Sequence, residues 1–352
     1  MKKLVTLLTL LALAVCLIVG FGAYFYLTGS VGGDKNISFE VKEGETYSSI
    51  AGRLKQSGLI RNELGYKMMV KMKGKTELHA GVYTLNSSMN AARIIDYLSS
   101  KPNYKVVQIT FKEGRNMRYF VQSIAQNMNI KEEEIYNKLK DTTYLRSLIE
   151  KYWFIKEDVL NSNLYYSLEG YLYPDTYQFS SNAKIEDVFK KMLDNTSKKL
   201  EPYKNAIQNS SYSVHQILTM ASMVELEAST KEDRKGVAGV FYNRIKSKMS
   251  LGSDVTTYYA AKVDMGERDL YKAELTSVNP YNTRSSSMAG KLPVGPICNP
   301  SIDSIEAALY PTTSTYYYFV ADKNKKVYFT KTGAEHNQII SKLKKEGLWY
   351  TY

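Results

Sequence analysis

After Met-Lys-Lys the chain runs LVTLLTLLALAVCLIVGFGAYFYLTGSVGG over residues 4–33 without a charge. The apolar part, which ends at Leu27, exceeds the ~20 residues a helix needs to cross a bilayer. A cleaved secretory signal has an apolar region of about 7–15 residues, so this length predicts an uncleaved anchor over 1–33. Lys2 and Lys3 bias the start to the cytoplasm, and Tyr24, Phe25 and Tyr26 suit the far interface. Residues from about 34 onward are then expected outside the cytoplasm, at the outer face of the cell membrane.

Beyond the anchor the period shortens and alternates. ISFEVKEGETYSSIAGRLKQSGLI, from Ile37, reads as a strand, a Glu43-Gly44 turn and a helix with Tyr47, Ile50, Ala51 and Leu54 inward, stopped at Ser57-Gly58. VVQITFKEGRNMRYFVQSIAQNMNI repeats this order, with a helix burying Phe120, Ile124 and Ala125, and both copies carry KEG, at 42–44 and 112–114. Between them lie a helical piece at 64–71, the strand AGVYTL at 80–85 and a helix at 91–98. The first copy with its following helix and strand resembles a LysM-type module, a small βααβ unit associated with binding N-acetylated glycans. The rest reads as helices within 131–165, from 185, and over 237–245 and 302–309, with paired strands around 322–326 and a last helix from Glu335. Three prolines and a glycine in KLPVGPICNPS rule out regular structure there. The predicted class is α+β: a transmembrane helix, a LysM-like βααβ module at 37–103 and a mixed α/β domain at 104–352.

Composition narrows the partners. The formal charge of +12 favours anionic partners, but the basic residues form no dense arm and no nucleic-acid signature occurs, so nucleic acid is not expected. Cys16 and Cys298 make no disulfide framework, and His79, His215 and His336 lie far apart without HExxH or CxxC, so neither metal nor other cofactor is expected.

ASMVELEAST, starting at Ala221, puts Glu225 and Glu227 in what reads as the middle of a core helix that starts at an S-x-x-Q capping box, Ser213 to Gln216. At about 100° per residue, Ile217, Ala221, Val224 and Ala228 form an apolar stripe, with Glu225 and Glu227 on opposite shoulders about 160° apart. Glycosidases with paired carboxyls need them facing each other across the bond, ~5–5.5 Å or ~6.5–9.5 Å apart. These two cannot be such a pair. The geometry leaves either one-acid chemistry or a structural role, and does not choose between the two glutamates.

The ordered set of anchor, LysM-like module, EGYLYPDTY, ASMVELEAS, VFYNRI, SDVT, NPYNT, LPVGPICNPS, YFVAD and EHN resembles the MltG/YceG family of endolytic murein transglycosylases. The resemblance implies cleavage of the β-1,4 bond between N-acetylmuramic acid and N-acetylglucosamine within nascent glycan strands, leaving 1,6-anhydro ends. It assigns the catalytic acid to the second Glu of E-x-E, Glu227. It places Glu225, Asn243, Arg244, Asp254, Thr256, Tyr281, Asn282, Thr283, His336 and Asn337 as substrate-binding or supporting residues. It implies peptidoglycan strands as substrate, the membrane as anchor site, and glycan-synthesising and elongation machinery as partners. Leu226, Val255 and the Val of LPVGPI depart from the family pattern without removing a proton-transfer group. The alternative readings are a hydrolase of the same bond and a non-catalytic wall-binding protein.

Overall fold

The computed structural model describes residues 2–42, 44–100, 102 and 106–349. Glu43 of the first KEG and the boundary expected between 103 and 104 lie outside the described residues. The chain forms two compact units, Met1–Val107 with Gln178–Asn182, and Gln108–Tyr177 with Ala183–Tyr352. Among the described residues the strands make three two-stranded sheets. One of them pairs Val106–Thr110 with Thr176–Ser180.

In the first unit the apolar run forms the helix Lys2–Thr28, and Leu10–Thr28 has a mean hydropathy of 2.3. A helix long and apolar enough to cross a membrane therefore sits at the N-terminus. Strands Asn36–Val41 and Gly81–Asn86 pair antiparallel with Phe39 opposite Tyr83, and the helices Ala51–Gln56 and Glu63–Lys73 lie between them in sequence. Alternation sends Phe39, Val41, Tyr83 and Leu85 into one core with Ile50, Leu54, Tyr66, Ile94 and Leu98. Asn62 caps the helix Glu63–Lys73, its Oδ1 accepting from Leu64 N at 2.8 Å.

The second unit is built round the helix Val214–Glu227. The capping box forms as expected: Gln216 N donates to Ser213 Oγ at 3.2 Å and Ser213 N to Gln216 Oε1 at 2.9 Å. The one-sided stripe does not. His215 and every residue from Ile217 to Val224 are buried, because the helices Ile302–Leu309, Lys231–Lys246 and Asp254–Ala261 pack round it. Its polar members are satisfied internally: Thr219 Oγ1 donates to His215 O at 2.7 Å, and Ser222 Oγ accepts from Ile297 N at 3.0 Å. The His215 ring nitrogens meet Tyr171 Oη and Val294 O, each at 2.9 Å, tying the helix to the proline-rich segment.

The start of the long irregular stretch after Leu275 is organised by Asn282. Asn282 Nδ2 donates to Ser277 O at 2.8 Å and Leu275 O at 3.2 Å, while its Oδ1 accepts from Thr257 Oγ1 at 2.8 Å. This accounts for backbone carbonyls that no ladder serves. The hairpin Tyr318–Ala321 and Val327–Thr330 forms with Phe319 opposite Phe329, and the last helix, Gly333–Lys345, starts two residues before the expected Glu335 because Thr332 caps it.

Candidate active site

The glutamates stand in the last helical turn, not mid-helix. Ala228, expected to close the apolar stripe, is already extended at φ −140°, ψ 146°. The cause lies just downstream: Thr230 accepts from Asp233 N at 3.1 Å and caps the helix Lys231–Lys246, so the chain must leave one helix to start another. That T-x-x-D signal is present in the sequence.

Ending the helix at Glu227 sets its electrostatics. The partial negative charge of the last carbonyls opposes a carboxylate there. Burial raises its pKa most, Asp254 adds to the rise, and the Ser253 hydrogen bond, Arg244 and Arg284 pull the other way, leaving it at about 7. Ser253 Oγ donates to Glu227 Oε1 at 2.5 Å. Ser253 lies in the SDVT motif but was not among the expected site residues; a buried hydroxyl before the acidic helix start Asp254 is the signal that could have marked it.

Beneath Ser253 is a closed hydroxyl network. Ser253 N donates to Thr283 Oγ1 at 3.1 Å, Thr256 Oγ1 donates to Ser253 O at 2.7 Å, and the two threonine hydroxyls lie 2.7 Å apart. Thr256, Asn282 and Thr283 are fully buried. Thr256 and Thr283 face each other and the backbone, forming the floor under Ser253, while Asn282 faces Thr257 and the carbonyls of 275–277. Asp254 opens the helix Asp254–Ala261 and pairs with Arg284 Nε at the surface. Tyr281 is also buried, its ring 4.8 Å from both Tyr165 and Tyr259, in an aromatic cluster apart from Glu227's hydrogen bonds.

Arg244 donates to Tyr317 O at 2.6 Å and Leu251 O at 2.7 Å, and its guanidinium lies 5.2 Å from the Tyr318 ring centroid. The His336 ring is 5.5 Å from the same tyrosine, and burial followed by Arg244 holds its pKa below the usual histidine value. Asn243 Nδ2 donates to Ser314 O at 3.0 Å and Tyr316 O at 2.9 Å. Asn337 is exposed and lines a shallow depression with Gln338, Ser341 and Lys342 on the last helix. The structure thus gathers Ser253, Asp254, Arg244 and Arg284 round Glu227, with Thr256 and Thr283 below, and leaves Asn337 outside that group.

Glu225 turns the opposite way. Arg234 Nη2 donates to its Oε1 at 2.9 Å, while Ser301 N at 2.9 Å and Ser304 Oγ at 2.7 Å donate to Oε2. Its side chain is 6% exposed and that of Arg234 11%. Both oxygens are engaged, Oε1 with the helix Lys231–Lys246 and Oε2 with the start of Ile302–Leu309, which fixes the helix end to both. A second buried acid came unannounced: Glu169, in EGYLYPDTY, accepts from Met117 N at 2.9 Å, Tyr259 Oη at 2.9 Å and Asn299 Nδ2 at 3.1 Å. Those donors favour the charged form, but burial outweighs them and its pKa rises to about 8.

A cleft of about 450 Å³ borders the last helical turn, lined among others by Glu113, Arg115, Tyr119, Leu226, Val255 and Met265. Among the described residues no group of three His, Cys, Asp or Glu side chains is placed to hold a metal ion.

The sequence profile of the YceG-like family matches residues 39–342. The chain is 39% identical over 308 residues to the endolytic murein transglycosylase of Bacillus subtilis (strain 168), covering 87% of this chain and 84% of that protein. It is 31% identical over 345 residues to the endolytic murein transglycosylase of Streptococcus pneumoniae serotype 2 (strain D39 / NCTC 7466), covering 92% of this chain and 62% of that longer protein. A crystal structure of the yceG-like protein lmo1499 from Listeria monocytogenes superposes with a TM-score of 0.62 at 33% identity, over 87% of this chain and all of that one. The chain belongs to the YceG-like family.

Proposed function

We propose that this protein is an endolytic murein transglycosylase, tethered by its N-terminal helix with the catalytic domain outside the cytoplasm, and that Glu227 is its acid and base. The observation that carries the assignment is Glu227 itself: a carboxyl at a helix C-terminus, held near neutrality in pKa, with one oxygen already occupied by Ser253. Because Oε1 accepts the serine hydroxyl, Oε2 is left to carry the proton.

In the forward step Glu227 Oε2 protonates the glycosidic oxygen as the muramic C1–O bond breaks. The carboxylate then takes the proton of the muramic C6 hydroxyl as that oxygen bonds to C1, closing the 1,6-anhydro ring. Water is neither consumed nor released, and the nucleophile belongs to the substrate, so proximity replaces a second protein carboxylate. Arg244 and Arg284 stabilise the carboxylate between the two transfers. Ser253 and the Thr256–Thr283 floor orient it. Glu225 supports the helix end, and Asn243 and Arg244 hold the segment before the hairpin against the catalytic helices. The βααβ part of the first unit is assigned to glycan binding of the LysM kind, which keeps a strand near the membrane where it is made. The polymerases that make such strands are the expected neighbours.

Product analysis tests this directly. Glycan digested by the full chain should carry 1,6-anhydro ends, one water lighter than hydrolytic ends, and Glu227→Gln should lower their formation by about 10²–10⁴-fold. Hydrolytic ends would instead assign a hydrolase, with Asp254 as the acid to test next. Unchanged processing by Glu227→Gln would leave a binding protein.

A further inference from the structure

The second KEG turn, at 112–114, takes no part in the machinery round Glu227. Gly114 has φ +71°, its N–H donates to Asn299 O at 3.0 Å, and a Cβ there would lie 3.4 Å from Leu226 Cδ2 and 3.5 Å from Glu225 Cγ. The turn therefore rests directly on the last turn of the glutamate helix. Its neighbours Glu113 and Arg115 are exposed, and neither makes an ion pair among the described residues. Two of the cations near them are already matched, Arg118 with Asp264 at 2.5 Å and Arg234 with Glu225 at 2.9 Å. The Arg115 guanidinium sits 5.3 Å from the Tyr119 ring centroid, which holds it at the cleft wall.

The cleft thus offers one cation and one carboxylate that make no ion pair among the described residues, set in a mixed lining with Tyr119, Leu226, Val255 and Met265 beside the paired carboxylates of Glu225 and Asp264. Leu226 adjoins Glu227 in sequence, and Val255 lies two residues beyond Ser253. The cleft opens beside both chain segments that hold the acid. A bare sugar strand brings a lactyl carboxylate but no cation. A muramic acid bearing a peptide brings side chains, carboxylates and the ammonium of its diamino acid together. We propose that this cleft is a subsite for the peptide stem of the glycan, with Arg115 pairing with a stem carboxylate and Glu113 with the stem ammonium. The inference rests on the murein substrate class proposed above.

The test is calorimetric titration of the full chain in detergent with three small probes that need no turnover: N-acetylmuramic acid, an N-acetylmuramyl peptide with a free diamino-acid amine, and the same peptide acetylated on that amine. The muramyl peptide should bind at least about tenfold more tightly than the sugar acid, a pairing-sized gain. Arg115→Ala should erase that gain, and Arg115→Lys should retain part of it. Acetylation should weaken binding to the wild type but not to Glu113→Gln. Equal affinity of the wild type for sugar acid and muramyl peptide overturns the proposal, as does an undiminished gain in an Arg115→Ala chain whose melting is unchanged. Binding is read apart from catalysis, so a failure to form anhydro ends would sink the reaction assignment and leave this result to stand on its own.

Discussion

At the residue scale, Glu227 and Ser253 make a linked prediction about pH. In the proposed mechanism Glu227 is protonated at the start of a turnover, so kcat/KM should be flat below about pH 7 and fall about tenfold per unit above it, its pKa being about 7. The Ser253 hydrogen bond lowers that pKa. Ser253→Ala should therefore move the alkaline limb to higher pH as well as reduce kcat, whereas Ser253→Thr, which keeps the hydroxyl, should restore the profile. Loss of kcat with an unmoved limb would reduce Ser253 to packing. Glu169 makes a separate prediction about stability. Its folded pKa, about 8, stands above its ordinary 4.5, so the folded state holds a proton that the unfolded state releases. The stabilisation is complete below the ordinary value and is lost as pH rises through about 8. Melting curves at pH 6 and 9 should show the wild type losing more Tm than Glu169→Gln across that interval. Glu227 carries the same sign, so the comparison is best made in both backgrounds. Neither the rank of Glu227 over Glu225 nor the burial of Glu169 can be read from helical angles. Both depend on which distant segment, 253–254 in one case and 299 in the other, supplies the partner.

At the scale of elements, much was legible. The capping box at Ser213, the helix Ile302–Leu309, the helix Ala91–Leu98 and the last hairpin follow from period and punctuation. The glutamate helix differs from its pattern in two respects, its end and its burial: Ala228 fits the apolar period, but Thr230 needs the chain extended ahead of it to cap the next helix, and neighbours pack on every side of the helix. A local capping bond and three packed neighbours outweighed the pattern. Glu225 belongs to this scale, since it joins three elements. Glu225→Gln should cost about 3–5 kcal/mol of unfolding free energy, the usual result of leaving a buried cation without its partner, and denaturant titration would measure it. Gly239 is equally diagnostic. A Cβ there would lie 2.3 Å from Thr312 O, a backbone atom, so Gly239→Ala must push the helix Lys231–Lys246 off the 310–314 segment that Asn243 also holds. Its cost should reach about 1–3 kcal/mol, with activity falling in parallel because Arg244 rides on the same helix.

At the scale of the whole molecule, the +12 charge and the apolar helix offer two different ways of meeting a membrane. Electrostatic attachment to acidic lipid weakens as salt shortens the screening length, from about 10 Å at 0.1 M to about 3 Å at 1 M. A spanning helix is held by apolar transfer and is indifferent to salt. The chain should therefore stay with the membrane pellet through a 1 M salt wash and leave it only in detergent. The far end of the helix adds a constraint on truncation. Tyr24 packs against the core of the first unit, and Gly65 lies so close to Leu27 that a Cβ there would come within 2.3 Å of the Leu27 carbonyl oxygen. The anchor is thus continuous with the fold over its last turn. A chain shortened to begin at Phe21 should leave the membrane and keep the melting temperature of the full chain in detergent. One beginning at residue 34 should also leave it, but melt lower, because the surface that Tyr24 and Leu27 cover is then exposed. If both shortened chains turn over soluble glycan fragments with the kcat/KM of the full enzyme, the anchor sets where strands are cut and contributes nothing to the cutting.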